Sequence, residues 1–172
     1  TSFGVNMLAL NNGRPEQMGL RKMLEIFLGF REQVITRRTK FRLAKARKRG
    51  HETVGLAIAV ANIDEVIRVI RTSADPNEAR ERLVSRDWPA GDMLPLIALI
   101  ADPRTQVIEG GSIRLSDEQA RAILELRLQR LTGLGRDDIA KAANEIADEI
   151  KSLLEILGSR EMILDIIKAE LA

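Results

Sequence analysis

Val34-Ile35-Thr36-Arg37-Arg38-Thr39-Lys40-Phe41-Arg42-Leu43-Ala44-Lys45-Ala46-Arg47-Lys48-Arg49 is the stretch whose reading decides the fold. Between Gln33 and His51 the chain holds eight Lys or Arg residues and no carboxylate. A basic run this dense ordinarily signals disorder or an anionic partner. Here the apolar residues between the charges keep helical spacing, so the charge is displayed on a rod.

Upstream, Leu20, Met23, Phe27, Phe30, Val34, Phe41 and Ala44 fall at steps of three, four or seven, with Arg37 on the same seam. The pattern predicts one helix over 20–61, a rod of roughly 60 Å at 1.5 Å rise per residue. Gly29, Gly50 and Gly55 each weaken such a helix by about 1 kcal/mol relative to Ala. Gly50-His51 is therefore the expected bend. A rod this long needs a packing partner, because helical propensity alone does not hold it.

That partner is expected at the other end of the chain. Ile139, Ala143, Ile146, Ile150, Leu153 and Leu157 alternate steps of four and three, the spacing of a coiled-coil seam. Gly158 interrupts it, and Met162, Ile163, Ile166, Ile167 and Leu171 form a second apolar helical stretch. From Asp137 to Ala172 there are nine acidic residues against four basic ones. An acidic return helix running antiparallel to the basic one would partly neutralise it.

Before the rod, Phe3, Val5, Met7, Leu8 and Leu10 alternate like a strand until Asn11-Asn12-Gly13-Arg14-Pro15 turns it. A lone strand is not stable by itself, so its partners are expected outside this segment. Between the rods, Asn62 is placed to N-cap a helix over 62–70. Asp75-Pro76 starts another through 84. The Pro- and Gly-rich stretch 89–111 reads as loop with one short apolar helix over 94–101. Ser116-Asp117-Glu118-Gln119 is a capping box. It opens a helix with apolar positions Ala120, Ile123, Leu124, Leu128 and Leu131, closed by Gly133. That helix is either a core helix of the head or one that continues into a symmetric dimer contact.

The fold class expected is mainly α: a long antiparallel two-helix arm carrying a small all-helical head, with a short strand-like start. The expected divisions are 1–19, a strand-and-turn remnant; 20–61, the ascending helix; 62–134, the head; and 135–172, the descending helix and the segment after it.

At 172 residues the chain can bury one sizeable core or two small ones. Cysteine is absent, which suits a reducing, cytoplasmic setting and excludes thiol chemistry and Cys-ligated metals. No apolar run approaches the ~18 residues of a membrane span, so no membrane partner is expected. The chain opens on Thr1 and reads as an internal piece of a longer protein. Nucleophilic catalysis is poorly supplied: there is no Cys, no Tyr, and a single histidine, His51, without metal partners at ligand spacing. His51 reads as a structural or surface residue, and Gly110-Gly111, with no Gly-Lys-Ser/Thr after it, as a turn. No catalytic, cofactor-binding or metal residue is expected. The basic run itself has two readings, a solvated face pairing with acids on the return helix or a phosphate-contacting face. A leucine-zipper arrangement is excluded by the absence of leucines at sevens beyond Arg49.

Several segments, in order along nearly the whole chain, resemble one family. Ser2-Phe3-Gly4-Val5-Asn6-Met7 with Leu8 to Pro15 is similar to the end of the tower region in the A subunit of DNA gyrase, a bacterial type IIA topoisomerase. Residues 31–49, with Val34-Ile35-Thr36-Arg37-Arg38-Thr39, resemble its ascending coiled-coil helix. Ala59-Val60-Ala61-Asn62-Ile63-Asp64-Glu65-Val66-Ile67 and Leu115-Ser116 through Gly133-Leu134 resemble its head, and Ile156-Leu157-Gly158-Ser159 its descending arm. The equivalent subunit of topoisomerase IV is the nearest alternative; Leu131-Thr132-Gly133-Leu134 looks more like gyrase.

The resemblance implies passage of one duplex through a double-strand break in another, dependent on ATP and Mg²⁺ in the holoenzyme. Cleavage in that family uses a tyrosine, which this sequence lacks. It implies the exit gate, a homodimer through the head, with the gyrase B subunit, double-stranded DNA and plasmid-encoded gyrase toxins as partners. Leu124, Leu126, Arg127, Leu128, Gln129 and Arg130 are the expected gate residues, Arg127 also the expected toxin contact. Arg37, Arg38, Lys45 and Arg49 are the expected DNA-facing stripe, with arm pairing as its first role and the passing duplex second.

Overall fold

The structure is a computed structural model describing residues 4, 6–108, 110–126 and 133–172, with side chains 133–136 outside the description. It is mainly helical, as the periodicity predicts, and divides into two compact units: 1–41 with 155–172, and 42–154. A single helix, α1 (Leu20–Ala61), runs through the whole basic stretch and takes part in both.

In the first unit the strand-like opening finds its partner locally, contrary to the expectation of one from outside the segment. β1 (Leu8–Asn11) pairs antiparallel with β2 (Arg14–Gln17), Asn11 opposite Arg14, across a two-residue turn. Asn12 and Gly13 take φ of 50° and 79°. Positive φ at both turn residues matches the right-handed twist of a hairpin, and Asn-Gly is the pair that tolerates it. α7 (Arg160–Leu171) starts at Ser159, whose side chain accepts from the Met162 N–H. It seals a small core in which Ile35 is fully buried against Ile163 and Ile167. Glu170 accepts from Arg31 and Arg38, and Arg160 pairs with Glu32 at 2.9 Å.

The buried seam of α1 differs from the one read in the sequence. Ile35, Thr39, Leu43, Ala46, Gly50, Val54 and Ile58 are buried, whereas Leu20, Phe27, Phe30 and Phe41 are exposed. The helix continues unbroken through Gly50. The missing Cβ there lets Ile100 and Ile146 approach to 2.8 and 3.2 Å of where that atom would sit.

In the second unit α6 (Gly133–Gly158) runs antiparallel to α1: Ile139 lies by Val60 and Ala61, Ile146 by Gly50, and Glu149 by Arg49. Its seam residues Ile139, Ala143, Ile146, Ile150 and Leu153 are all buried. α2 (Ile63–Arg71) and α3 (Pro76–Ser85) follow α1; Asp75 caps α3 by accepting from the Asn77 and Glu78 N–H groups. Asn62 does not cap α2. Its Nδ2 donates back to the Ile58 and Pro89 carbonyls instead.

The stretch read as loop supplies a three-stranded antiparallel sheet, ordered β3 (Asp87–Pro89), β5 (Ser112–Arg114), β4 (Gln106–Ile108). The head is thus helical with a small sheet rather than all helical. α4 (Leu94–Ile100) sits between β3 and β4. Trp88, fully buried on β3, donates its indole N–H to the Leu83 carbonyl at 2.9 Å. α5 (Asp117–Leu124) opens with the expected capping box but stops at Leu124, short of the expected 131.

Candidate dimer gate and basic stripe

α2 and α5 each carry an apolar ridge. On α2, Ile63, Val66, Ile67 and Ile70 follow the i, i+3, i+4, i+7 spacing of one helix face, which Arg71 continues, with Asp64, Glu65 and Arg68 away from it. On α5 and just beyond it, Ile123, Leu124 and Leu126 face the same way. Together with Ala59 of α1 they line a groove of about 300 Å³. Leu124 and Leu126 are half-buried and Ile70 is 37% exposed, so the groove is open to solvent.

Of the expected gate residues, Leu124 and Leu126 therefore meet in one apolar groove, while Arg127, Leu128, Gln129 and Arg130 lie outside the described residues. Sequence reasoning alone does not single out the α2 side of the groove, although its amphipathic spacing is present there. The walls are apolar except for Arg71, which lines the groove beside Ile70.

The basic stretch is used unevenly. Arg38 reaches Glu170 at 2.5 Å, and Arg49 reaches Glu149 at 2.5 Å. Arg38 and Arg31 hold the Glu170 carboxyl below its ordinary value, Arg38 being the larger influence. Among the described residues, Arg37, Lys40, Arg42, Lys45, Arg47 and Lys48 have no carboxylate within ion-pair distance. Arg37 and Lys40 are exposed in the first unit; Arg42, Lys45 and Lys48 are exposed in the second. Arm pairing therefore accounts for two of the four stripe residues, Arg38 and Arg49, and leaves Arg37 and Lys45 facing solvent.

His51 is 1% exposed. Its Nδ1 lies 3.1 Å from Thr105 Oγ1 and its Nε2 2.7 Å from Ser116 Oγ. Asp102 approaches the ring at 3.9 Å, but its carboxylate is taken up by Arg104, which holds it down at about 2. This is not a Ser-His-Asp nucleophile. Ser116 Oγ is committed to capping α5, and Thr105 rather than Asp102 holds the second ring nitrogen. Among the described residues no three His, Asp or Glu side chains converge as metal ligands, so no step through Mg²⁺ is assigned to this chain. Gly110 and Gly111, at φ of 94° and 78°, belong to the tight connection between β4 and β5. No helix among the described residues is long and apolar enough to cross a membrane.

Comparison with known proteins gives a match over residues 1–172 to the family model of the DNA gyrase/topoisomerase IV A subunit. The chain is 56% identical over 171 residues to the DNA gyrase A subunit of Granulibacter bethesdensis, covering 99% of the chain and 18% of that relative. It is 47% identical over 171 residues to the DNA gyrase A subunit of Rickettsia bellii, covering 99% of the chain and 19% of the relative. With the Pseudomonas aeruginosa protein of the same name the identity is 40% over 178 residues, covering 98% and 19%. The chain thus spans about a fifth of the length of these relatives.

Proposed function

The chain belongs to the family of DNA gyrase/topoisomerase IV A subunits, and from that premise we propose that it forms the exit gate of a bacterial gyrase. In this reading two heads dimerise, and their parting releases the transported duplex during ATP-dependent double-strand passage and negative supercoiling. The observation that carries it is the open apolar groove between α2 and α5, which contains Leu124 and Leu126. A groove of this kind is a surface that a second copy would cover, and a two-fold contact is the commonest way to close an oligomer.

The segment contributes no nucleophile, because the sequence has no Tyr. The cleaving tyrosine, the Mg²⁺ that assists it and the ATP site belong elsewhere in an A2B2 assembly with the gyrase B subunit in the cytoplasm. Plasmid-encoded gyrase toxins are further partners under this reading. The equivalent segment of the topoisomerase IV A-type subunit, with decatenation as its task, is the alternative within the family.

The test is oligomeric state by light scattering at tens of micromolar. The wild-type chain is expected to be a dimer. Leu124→Asp with Leu126→Asp is expected to raise the dimer Kd roughly 100-fold, about 3 kcal/mol, by burying two carboxylates beside a single Arg71. A monomer throughout, or a double variant as dimeric as wild type, would sink the gate reading.

A second reading, a phosphate-binding face, is favoured by the unpaired charges of α1. Replacing Arg37, Lys40, Arg42, Lys45 and Lys48 with Gln is expected to leave the dimer intact. It should lower the slope of log affinity for duplex DNA against log salt by about 4.5, near 0.9 for each phosphate no longer neutralised. Arg38→Gln with Arg49→Gln, which removes the acid-paired charges, should change that slope far less. Equal slopes for wild type and the fivefold variant would place the DNA-binding charges elsewhere.

A further inference from the structure

His51 stands at the centre of a closed ring of hydrogen bonds between α1 and the start of α5. Its Nε2 meets Ser116 Oγ at 2.7 Å, and Ser116 Oγ accepts from the Gln119 N–H at 3.2 Å. Gln119 returns the bond twice: its Oε1 accepts from the Ser116 N–H at 2.9 Å, and its Nε2 donates to the His51 carbonyl at 2.7 Å. Gln119 is fully buried, and Gly55, one turn on from His51, leaves the space its side chain fills. The capping box of α5 is therefore completed by α1.

Either tautomer gives both ring nitrogens a partner; the proton is assigned to Nδ1, because the Asp102 carboxylate facing it is 8% exposed whereas Glu118, on the Nε2 side, is 52% exposed. Nδ1–H donates to Thr105 Oγ1 on the side facing Asp102, and Ser116 O–H donates to the bare Nε2. Ser116 Oγ keeps its lone pairs for the Gln119 N–H, as an N-cap must. A second proton on the ring removes the acceptor at Nε2. Ser116 must then turn its hydroxyl hydrogen away, and its oxygen has to accept from both Nε2–H and the Gln119 N–H.

We propose that the His51–Ser116–Gln119 ring is a proton-sensitive joint that holds the N-terminal cap of α5 on α1 when His51 is neutral and releases it when His51 is charged. The inference goes beyond the gate reading and does not depend on it, although the helix that would loosen is the one carrying Leu124. The charged and titratable groups facing the ring are Glu52 from α1, Asp102 and Arg104 from the segment after α4, and Glu118 from α5. Burial outweighs the three carboxylates and, with Arg104, pushes the imidazole below its ordinary 6.5. The sign follows. The unfolded chain takes the proton first, so stability is full above about pH 6.5 and is lost as pH falls through the lowered value.

The test uses the full chain, in which His51 is the only histidine, so its ring signal in an NMR titration is unambiguous. The ring is expected to titrate below pH 6.5, and the exchange protection of the Gln119 amide to fall roughly fivefold or more at the same midpoint, the scale of a lost N-cap. Asp102→Asn, which removes an attractive charge, should shift both transitions downward together. His51→Gln, which keeps a donor and an acceptor, should abolish the pH dependence at Gln119. A flat Gln119 protection factor across the His51 titration, transitions that separate in Asp102→Asn, or an unchanged fall in His51→Gln each overturns the proposal.

Discussion

Gly55→Ala is expected to destabilise the chain by about 2 kcal/mol in a urea titration, although it places the best helix former in the middle of a 42-residue helix. Propensity alone argues for the opposite sign, a gain of about 1 kcal/mol. The added Cβ would lie 2.7 Å from Cγ and 2.8 Å from Cβ of Gln119. Gln119 cannot step aside cheaply, because its amide is bonded at both ends, to the Ser116 N–H and the His51 carbonyl. Moving it leaves buried polar groups unpaired, which costs about 1–3 kcal/mol on top of the overpacking. Gly50→Ala is the control. Its added Cβ would meet Ile100 Cδ1 at 2.8 Å, Ile100 Cγ1 at 3.0 Å and Ile146 Cγ2 at 3.2 Å, buried apolar groups with no hydrogen bond to lose. A Gly50→Ala that costs only the overpacking, and so less than Gly55→Ala, is the expected pattern; a stabilising Gly55→Ala would show that Gln119 is not held as described.

The second large effect separates the two apolar stripes of α1. Ile35→Ala is expected to cost about 3 kcal/mol, because Ile35 is fully buried against Ile163 and Ile167 and its removal leaves a cavity. Phe30→Ala, a larger deletion, is expected to stay within about 0.5 kcal/mol, because Phe30 is 60% exposed. Denaturant midpoints of the two variants decide this. A cost for Phe30→Ala equal to that of Ile35→Ala would restore the seam that spacing alone selects.

That contrast shows where spacing is ambiguous. Two stripes on α1 keep helical spacing, one with steps of three, four or seven once Met23 and Val34 are included, the other with steps of three and four. One runs through Leu20, Phe27, Phe30 and Phe41; the other through Ile35, Thr39, Leu43, Ala46, Gly50 and Val54. The larger residues make the first look like the core. Burial goes to the second because its small members, Ala46 and Gly50, let a neighbouring helix come close, as the approach of Ile146 and Ile100 to Gly50 requires. On α6 there is one consistent apolar stripe, and there spacing and burial agree from Ile139 to Leu153.

The candidate site is legible to a similar degree. Leu124 and Leu126 stand out because an apolar helix follows a capping box, and both line the groove. The α2 wall follows the same rule but suggests nothing alone, since an amphipathic helix has no stated neighbour until the chain folds. The basic stretch is conspicuous, yet which charges are satisfied depends on where Glu149 and Glu170 come to rest.

The sequence by itself determined the elements: the long basic helix, the acidic helices after it, the capping box at Ser116 and the family to which they belong. Those follow from periodicity, local capping chemistry and composition, which act within a few residues. Only the tertiary structure decided that Asn12-Gly13 closes a hairpin on its own strand, that residues 87–114 contain a sheet, and which stripe of α1 is core. It also decided that Gly50 and Gly55 admit close neighbours, Ile100 and Ile146 at the first and Gln119 at the second. Those outcomes depend on the shape and hydrogen-bonding needs of residues far along the chain, Gln119 and Ile146 among them, which helical spacing does not encode.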